Sequence, residues 1–145
     1  MIQSVQEQEL VLNSNTAPIT FADTDLRTGS ANCFNGWLNH NEGSAQFNLV
    51  AGGIYEIDFD ANITSATPGV VGVALFADGL AVNGTESNTV VNAANEYSNV
   101  SFTKYIRVCG RGSVSLSVNS IPTIDSVDTE VPTIKNANII IRRYA

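Results

Sequence analysis

The stretch Gly53-Ile54-Tyr55-Glu56-Ile57-Asp58-Phe59-Asp60-Ala61-Asn62-Ile63-Thr64 decides the fold class. Tyr55, Ile57, Phe59, Ala61 and Ile63 alternate with Glu56, Asp58, Asp60 and Asn62. A helix would scatter this pattern around its surface, whereas a strand sends successive side chains to opposite faces. The alternation therefore predicts a strand with one apolar, core-facing side and one acidic side.

Outward from this strand, short apolar or alternating runs recur between Gly, Asn, Asp and Pro. Val70 to Phe76 reads as a nearly all-apolar strand. Asp78-Gly79 is a turn signal, followed by a short strand at Leu80-Ala81-Val82 and a second turn at Asn83-Gly84. Asn99 to Val108 sets Phe102, Lys104, Ile106 and Val108 against Ser101, Thr103, Tyr105 and Arg107. After Gly110-Arg111-Gly112, Ser113 to Val118 alternates again. Ile121 to Lys135, with Pro122, Pro132 and several acids, reads as a long loop. Asn138 to Arg143 is a β-branched closing strand. Upstream, Ala45 to Val50, Gln8 to Leu12 and Ile19 to Phe21 read as strands, Ala31 to His40 is ambiguous, and residues 1–14 form an N-terminal arm or a first strand. Eight to ten short strands at this spacing predict an all-β antiparallel β-sandwich or barrel, one domain over residues 1–145. Tyr55, Ile57, Phe59, Phe102 and Ile106 are its expected core.

The bulk composition agrees. Charged residues are 14% of the chain, and Asn, Ser and Thr take their place, which suits turns and strand faces better than long helices. The formal net charge is −7. Such a chain lacks the basic stripe that phosphate contacts need, so neither nucleic acid nor an anionic membrane surface is an expected partner. Met1 to Glu7 has no basic region and no apolar core of a signal peptide, so synthesis in a cytoplasm is expected. Two cysteines, Cys33 and Cys109, are too few for a disulfide scaffold or a thiolate zinc site. They read as buried thiols, and a bridge between them stays open.

The order of these pieces resembles the trimeric jelly roll of tumour-necrosis-factor-like and C1q-like domains. Four stretches carry the resemblance: Gly43 to Tyr55, with its strand, Gly53-Ile54-Tyr55 and next strand; Val73 to Gly79; Val100 to Gly112 with the Cys109-Gly110-Arg111-Gly112 turn; and Asn136 to Arg143. Within that fold, Ile19-Thr20-Phe21-Ala22-Asp23-Thr24, the Cys33 segment, His40-Asn41-Glu42-Gly43-Ser44 and the closing Asn136-Ala137-Asn138-Ile139-Ile140 are similar to short proteins of phages and prophages of Gram-positive gut bacteria. The resemblance implies a homotrimer on the virion surface, a head fibre or capsid decoration, contacting virion proteins such as the major capsid protein. It also implies that Cys33 and Cys109 lie near one another. The chain departs from collagen-tethered members in lacking a Gly-X-Y stalk.

Three acids on one strand face, Glu56, Asp58 and Asp60, stand about 7 Å apart in sequence order. Calcium binding and glycosidase-type chemistry both use carboxylates at such spacing, but each needs further ligands or a cleft. Neutralisation without metal is the better reading. The resemblance places the Asn99–Val108 and Asn138–Arg143 strands on either side, and Lys104, Arg107, Arg142 and Arg143 are four of the chain's seven cations. Cross-strand pairs with these would form a polar network facing a threefold axis. His40, the only histidine, lacks a nucleophile motif and reads as a turn or surface residue. Trp37 reads as a core or subunit contact rather than a sugar platform. The sequons at Asn62, Asn83 and Asn99 read as chance products of an Asn- and Thr-rich chain. No catalytic residue, metal site or cofactor is expected. The expected function is structural and non-enzymatic. The alternative is a receptor-binding module for bacterial surface glycan; a small glycoside-active enzyme is a distant third.

Overall fold

The computed structural model of the chain describes residues 1–27, 37–50, 52–110, 112–122 and 130–144. Its elements are β1 (Ile2–Gln6), β2 (Leu10–Val11), β3 (Asp23–Arg27), β4 (Leu38–His40), β5 (Phe47–Leu49), β6 (Gly53–Ser65), β7 (Gly69–Ala77), β8 (Leu80–Ala81), β9 (Ser87–Val91), β10 (Ser98–Val108), β11 (Val114–Ser120) and β12 (Pro132–Arg143). They form two antiparallel sheets. The first has the order β10-β6-β12-β1-β3, with β2 also on β12; the second has the order β4-β5-β11-β7-β8, with β9 also on β7. Neighbours in space are rarely neighbours in sequence, which makes this a β-sandwich of the jelly-roll kind.

The long strand β6, expected from the alternating pattern, lies between β10 and β12, as the resemblance implied. Tyr55, Ile57, Phe59, Ala61 and Ile63 are buried against Phe47, Leu49, Val73, Leu75, Leu116 and Val118 of the second sheet. Phe102 and Ile106 on β10 are partly buried and pack against this core. The Asp78-Gly79 turn joins β7 to β8 with positive φ at both residues, 49° and 80°. Positive φ at both central positions is what a type I′ hairpin demands, and Asp-Gly supplies it at low cost.

Four boundaries differ from the sequence reading. First, β12 begins at Pro132, so the expected loop from Ile121 to Lys135 overran it. Proline is tolerated at the first residue of a strand, where its missing N–H is not needed. A register shift between Ile134 and Asn136 blurs the alternation around Lys135. Second, the N-terminal residues supply a true first strand, β1, between β12 and β3. It buries Ile2, Val5, Ser4 and Gln6 alike, and a strand covered on both faces carries no alternating signature. Third, Ile19 to Phe21 is a buried plug rather than a strand: Ile19 N donates to Val118 O and Phe21 N to Ser44 O. Fourth, β3 and β9 are short polar strands that no hydrophobic pattern announced.

Candidate functional site

The outward face of the first sheet holds the acidic row. Register decides what meets it. Tyr105, Thr103 and Ser101 of β10 stand opposite Glu56, Asp58 and Asp60. Arg142, Ile140 and Asn138 of β12 stand opposite the same three acids on the other side. Residues directly opposite share a face, so each carboxylate meets a fixed pair of neighbours.

Arg142 serves two of them. One guanidinium nitrogen lies 2.6 Å from Asp58 Oδ2 and 3.3 Å from Glu56 Oε2. Glu56 Oε1 accepts from the Tyr105 hydroxyl at 3.1 Å. Asp58 Oδ1 accepts from Thr103 Oγ1 at 2.8 Å. Asp60 accepts from the Asn138 amide at 3.3 Å, whose oxygen accepts in turn from Gln3 at 3.2 Å. Tyr144, just past β12, brings its hydroxyl to Glu56 as well, and its ring sits 6.0 Å from that of Tyr105. Burial falls along the row: Glu56 is buried, Asp58 half-buried and Asp60 exposed. Donors are thickest where burial is greatest, as the cost of desolvating a carboxylate requires.

The ionisation of the donors follows from these bonds. Arg142 is held above its usual range by its hydrogen bond to Asp58, against some loss from burial, and then by Glu56. Tyr105 and Tyr144 are both raised above 10.0, first by the hydrogen bond to Glu56. A phenol bonded to a carboxylate loses its proton less readily, because a second negative charge would face the first.

The other expected members of the network lie elsewhere. Lys104 stands opposite Ile57 and Arg143 opposite Tyr55, so both leave their strands on the core side. The even–odd rule of a strand separates them from the acids. Lys104 Nζ reaches Asn83 O at 2.7 Å. Arg143 donates to Gly52 O at 2.7 Å and lies 3.9 Å from the centre of the Trp37 ring. Arg107 does share the acidic face, opposite Ile54, but makes no ion pair with another described residue. A groove of about 470 Å³ opens beside it, lined by Ile54, Arg107, Val108, Cys109 and the glycines Gly52, Gly53 and Gly110. Among the described residues, no three His, Cys, Asp or Glu side chains converge as a metal cage would.

Cys109 is exposed, not buried, and carries a free thiol; Cys33, and with it the expected pairing, lies outside the described residues. His40 is buried rather than on a turn surface. Its ring stacks on Phe47 at 3.9 Å, Nδ1 lies 2.9 Å from Gln46 O, and Nε2 has no hydrogen-bond partner among the described residues. Trp37 is 57% exposed and not a core residue, although its carbonyl accepts from the buried Tyr55 hydroxyl at 3.0 Å.

Two solved structures have this architecture. The globular domain of zebrafish complement 1qA protein matches with a TM-score of 0.59 at 12% identity, over 96% of this chain and 94% of that one. Murine APRIL matches with a TM-score of 0.54 at 13% identity, over 94% and 98% of the two chains. The fold is a TNF/C1q-like jelly roll. No protein-family model matches the chain, and no curated protein sequence matches it significantly. Within this jelly roll the sequence reading missed Thr103, Tyr105 and Asn138, which donate to the row, and Tyr144, which lies beside Glu56. The first two were legible as the polar half of the β10 alternation. Tyr144 was not, because it lies past the strand and comes back to Glu56 only in three dimensions.

Proposed function

We propose that this jelly roll is a non-enzymatic assembly module that works as a homotrimer, with the outer face of the β10-β6-β12 sheet toward the threefold axis. One observation carries the reading. Two acids on a sheet face share a single arginine and accept from the Tyr105 and Thr103 hydroxyls, with Tyr144 beside Glu56. A solvated acidic face would need no such network, whereas a face that is to be buried against copies of itself gains from having its acids neutralised beforehand. Exposed Ile54, Tyr105, Tyr144 and Leu26 lie on the same face and supply apolar area to bury. Light scattering at micromolar concentration should return three times the chain mass of 15.4 kDa. A monomer under those conditions would overturn the proposal.

The finer role we propose is structural, at the surface of a phage virion as a head fibre or capsid decoration. It rests on the sequence resemblance of the Ile19–Thr24 and His40–Ser44 segments. Co-sedimentation of the purified protein with capsids that lack it is the direct test, and free protein left in the supernatant would remove this role. Trp37 favours a second reading. It presents an exposed ring beside a cation at one end of the sandwich, a surface on which a sugar can stack. Retention on a glycan array that is lost in Trp37→Ala would move the function to receptor binding.

A further inference from the structure

We propose that Asn83-Gly84 is a self-modifying site, at which the folded protein converts Asn83 to aspartate and isoaspartate with help from Lys104. Asn83 and Gly84 sit at the exposed tip between β8 and β9. Gly84 has φ +76, and a Cβ placed there would meet only the Lys104 ammonium at 3.6 Å; the residue is exposed and its backbone N–H makes no hydrogen bond with a described residue. The chain on either side is held: Val82 N donates to Leu75 O, Thr85 Oγ1 donates to Val82 O and accepts from Leu75 N. The Asn83 side-chain amide is exposed and makes no hydrogen bond with a described residue. Three other described asparagines are tied down: the Asn62 amide bonds Asn136, Asn99 bonds Ala61 O and Asn138 bonds Asp60.

Lys104 supplies the chemistry beyond a bare Asn-Gly pair. Its ammonium lies 2.7 Å from Asn83 O, the carbonyl of the peptide unit whose nitrogen belongs to Gly84. A cation on that oxygen stabilises the amidate formed when hydroxide takes the Gly84 N–H proton. The nitrogen then attacks Asn83 Cγ, a C–N bond forms, the bond to the side-chain NH₂ breaks, and ammonia leaves with a proton from water. The resulting succinimide adds one water, and opening of either C–N bond gives aspartate or isoaspartate. No oxidant or reductant enters. The new carboxylate lies next to Lys104, and the isoaspartate form lengthens the backbone of the tip that holds Thr85 under β7.

The test is peptide mapping by mass spectrometry of folded protein incubated at neutral and at mildly alkaline pH. Asn83 should gain the mass of an amide-to-acid exchange before Asn62, Asn99 and Asn138 do, faster at the higher pH, with both isomers present. Lys104→Met should slow it about fivefold, which corresponds to roughly 1 kcal/mol of barrier. Asn83→Gln, which keeps the turn, should abolish the change. An intact Asn83, or a rate that Lys104→Met leaves unchanged in a normally folded protein, overturns the proposal. So does a lasting loss of ammonia in a peptide cross-linked to Lys104, which would mean that the lysine amine and not the Gly84 nitrogen is the nucleophile.

Discussion

The outer face of the first sheet and the rim of the sandwich use their cations in opposite ways. On the outer face, one arginine, Arg142, is shared by Glu56 and Asp58. At the rim, three cations of the same sheet make no ion pair with a described residue and donate to backbone carbonyls: Lys104 to Asn83 O, Arg143 to Gly52 O and Arg27 to His40 O. Asn83 and His40 belong to the second sheet and its connections, so Lys104 and Arg27 tie the two layers together. A carbonyl carries no net charge, so the rim bonds need no matching acid. The outer-face bonds depend on ionised partners and on how much water reaches them. The contrast teaches that four cations near an acidic row are not four counter-ions.

The strongest way to break the comparison is Arg142→Ala. It leaves Glu56 and Asp58 as unscreened neighbours. In the assembled protein, where the proposed interface covers them, the expected loss is about 3–5 kcal/mol. In the dissociated chain the Arg142 side chain is 39% exposed, solvent screens the pair, and the loss should fall to about 1 kcal/mol or less. Denaturant melts at high and low protein concentration measure both; equal losses would detach the network from assembly. Asp58→Ala should follow the same concentration dependence, because it leaves Arg142 with one acid.

Arg143→Ala probes the rim. It removes the Gly52 bond and the stack on Trp37, at a cost of about 2 kcal/mol at any protein concentration. Trp37 is the single tryptophan of the chain, so its fluorescence should shift together with the melt. A concentration-dependent effect here would erase the distinction between rim and face.

The smallest expected effect is in pH. Tyr105 and Tyr144 ionise above 10.0 because both bond Glu56. Folding therefore favours the protonated phenol. The stabilisation is complete below the ordinary tyrosine value and is lost as pH rises through the raised one. Phenolate absorbance should show late-titrating tyrosines that drop out one at a time in Tyr105→Phe and Tyr144→Phe. Glu56→Gln should bring both back toward the ordinary value, whereas Arg143→Ala at the rim should move neither.

The sequence by itself determined the sandwich, the central strand and the face on which the acids lie. Alternation with a period of two is a local property, and Tyr55 to Ile63 state it without help from any other segment. The polar half of β10 was legible for the same reason. Only the tertiary structure decided which cations reach the acids. The β10 alternation already set Lys104 on the side of Phe102 and Ile106, but nothing in the β12 sequence says that Arg142 stands opposite Glu56 and Arg143 opposite Tyr55 rather than the reverse. A shift of one residue in register exchanges the two faces of a strand, and register is fixed by the long-range packing of both sheets rather than by any run of residues. The burial of β1, the plug at Ile19 to Phe21 and the return of Tyr144 to Glu56 are decided in the same way, because each depends on what lies above and beside the segment rather than on its own pattern.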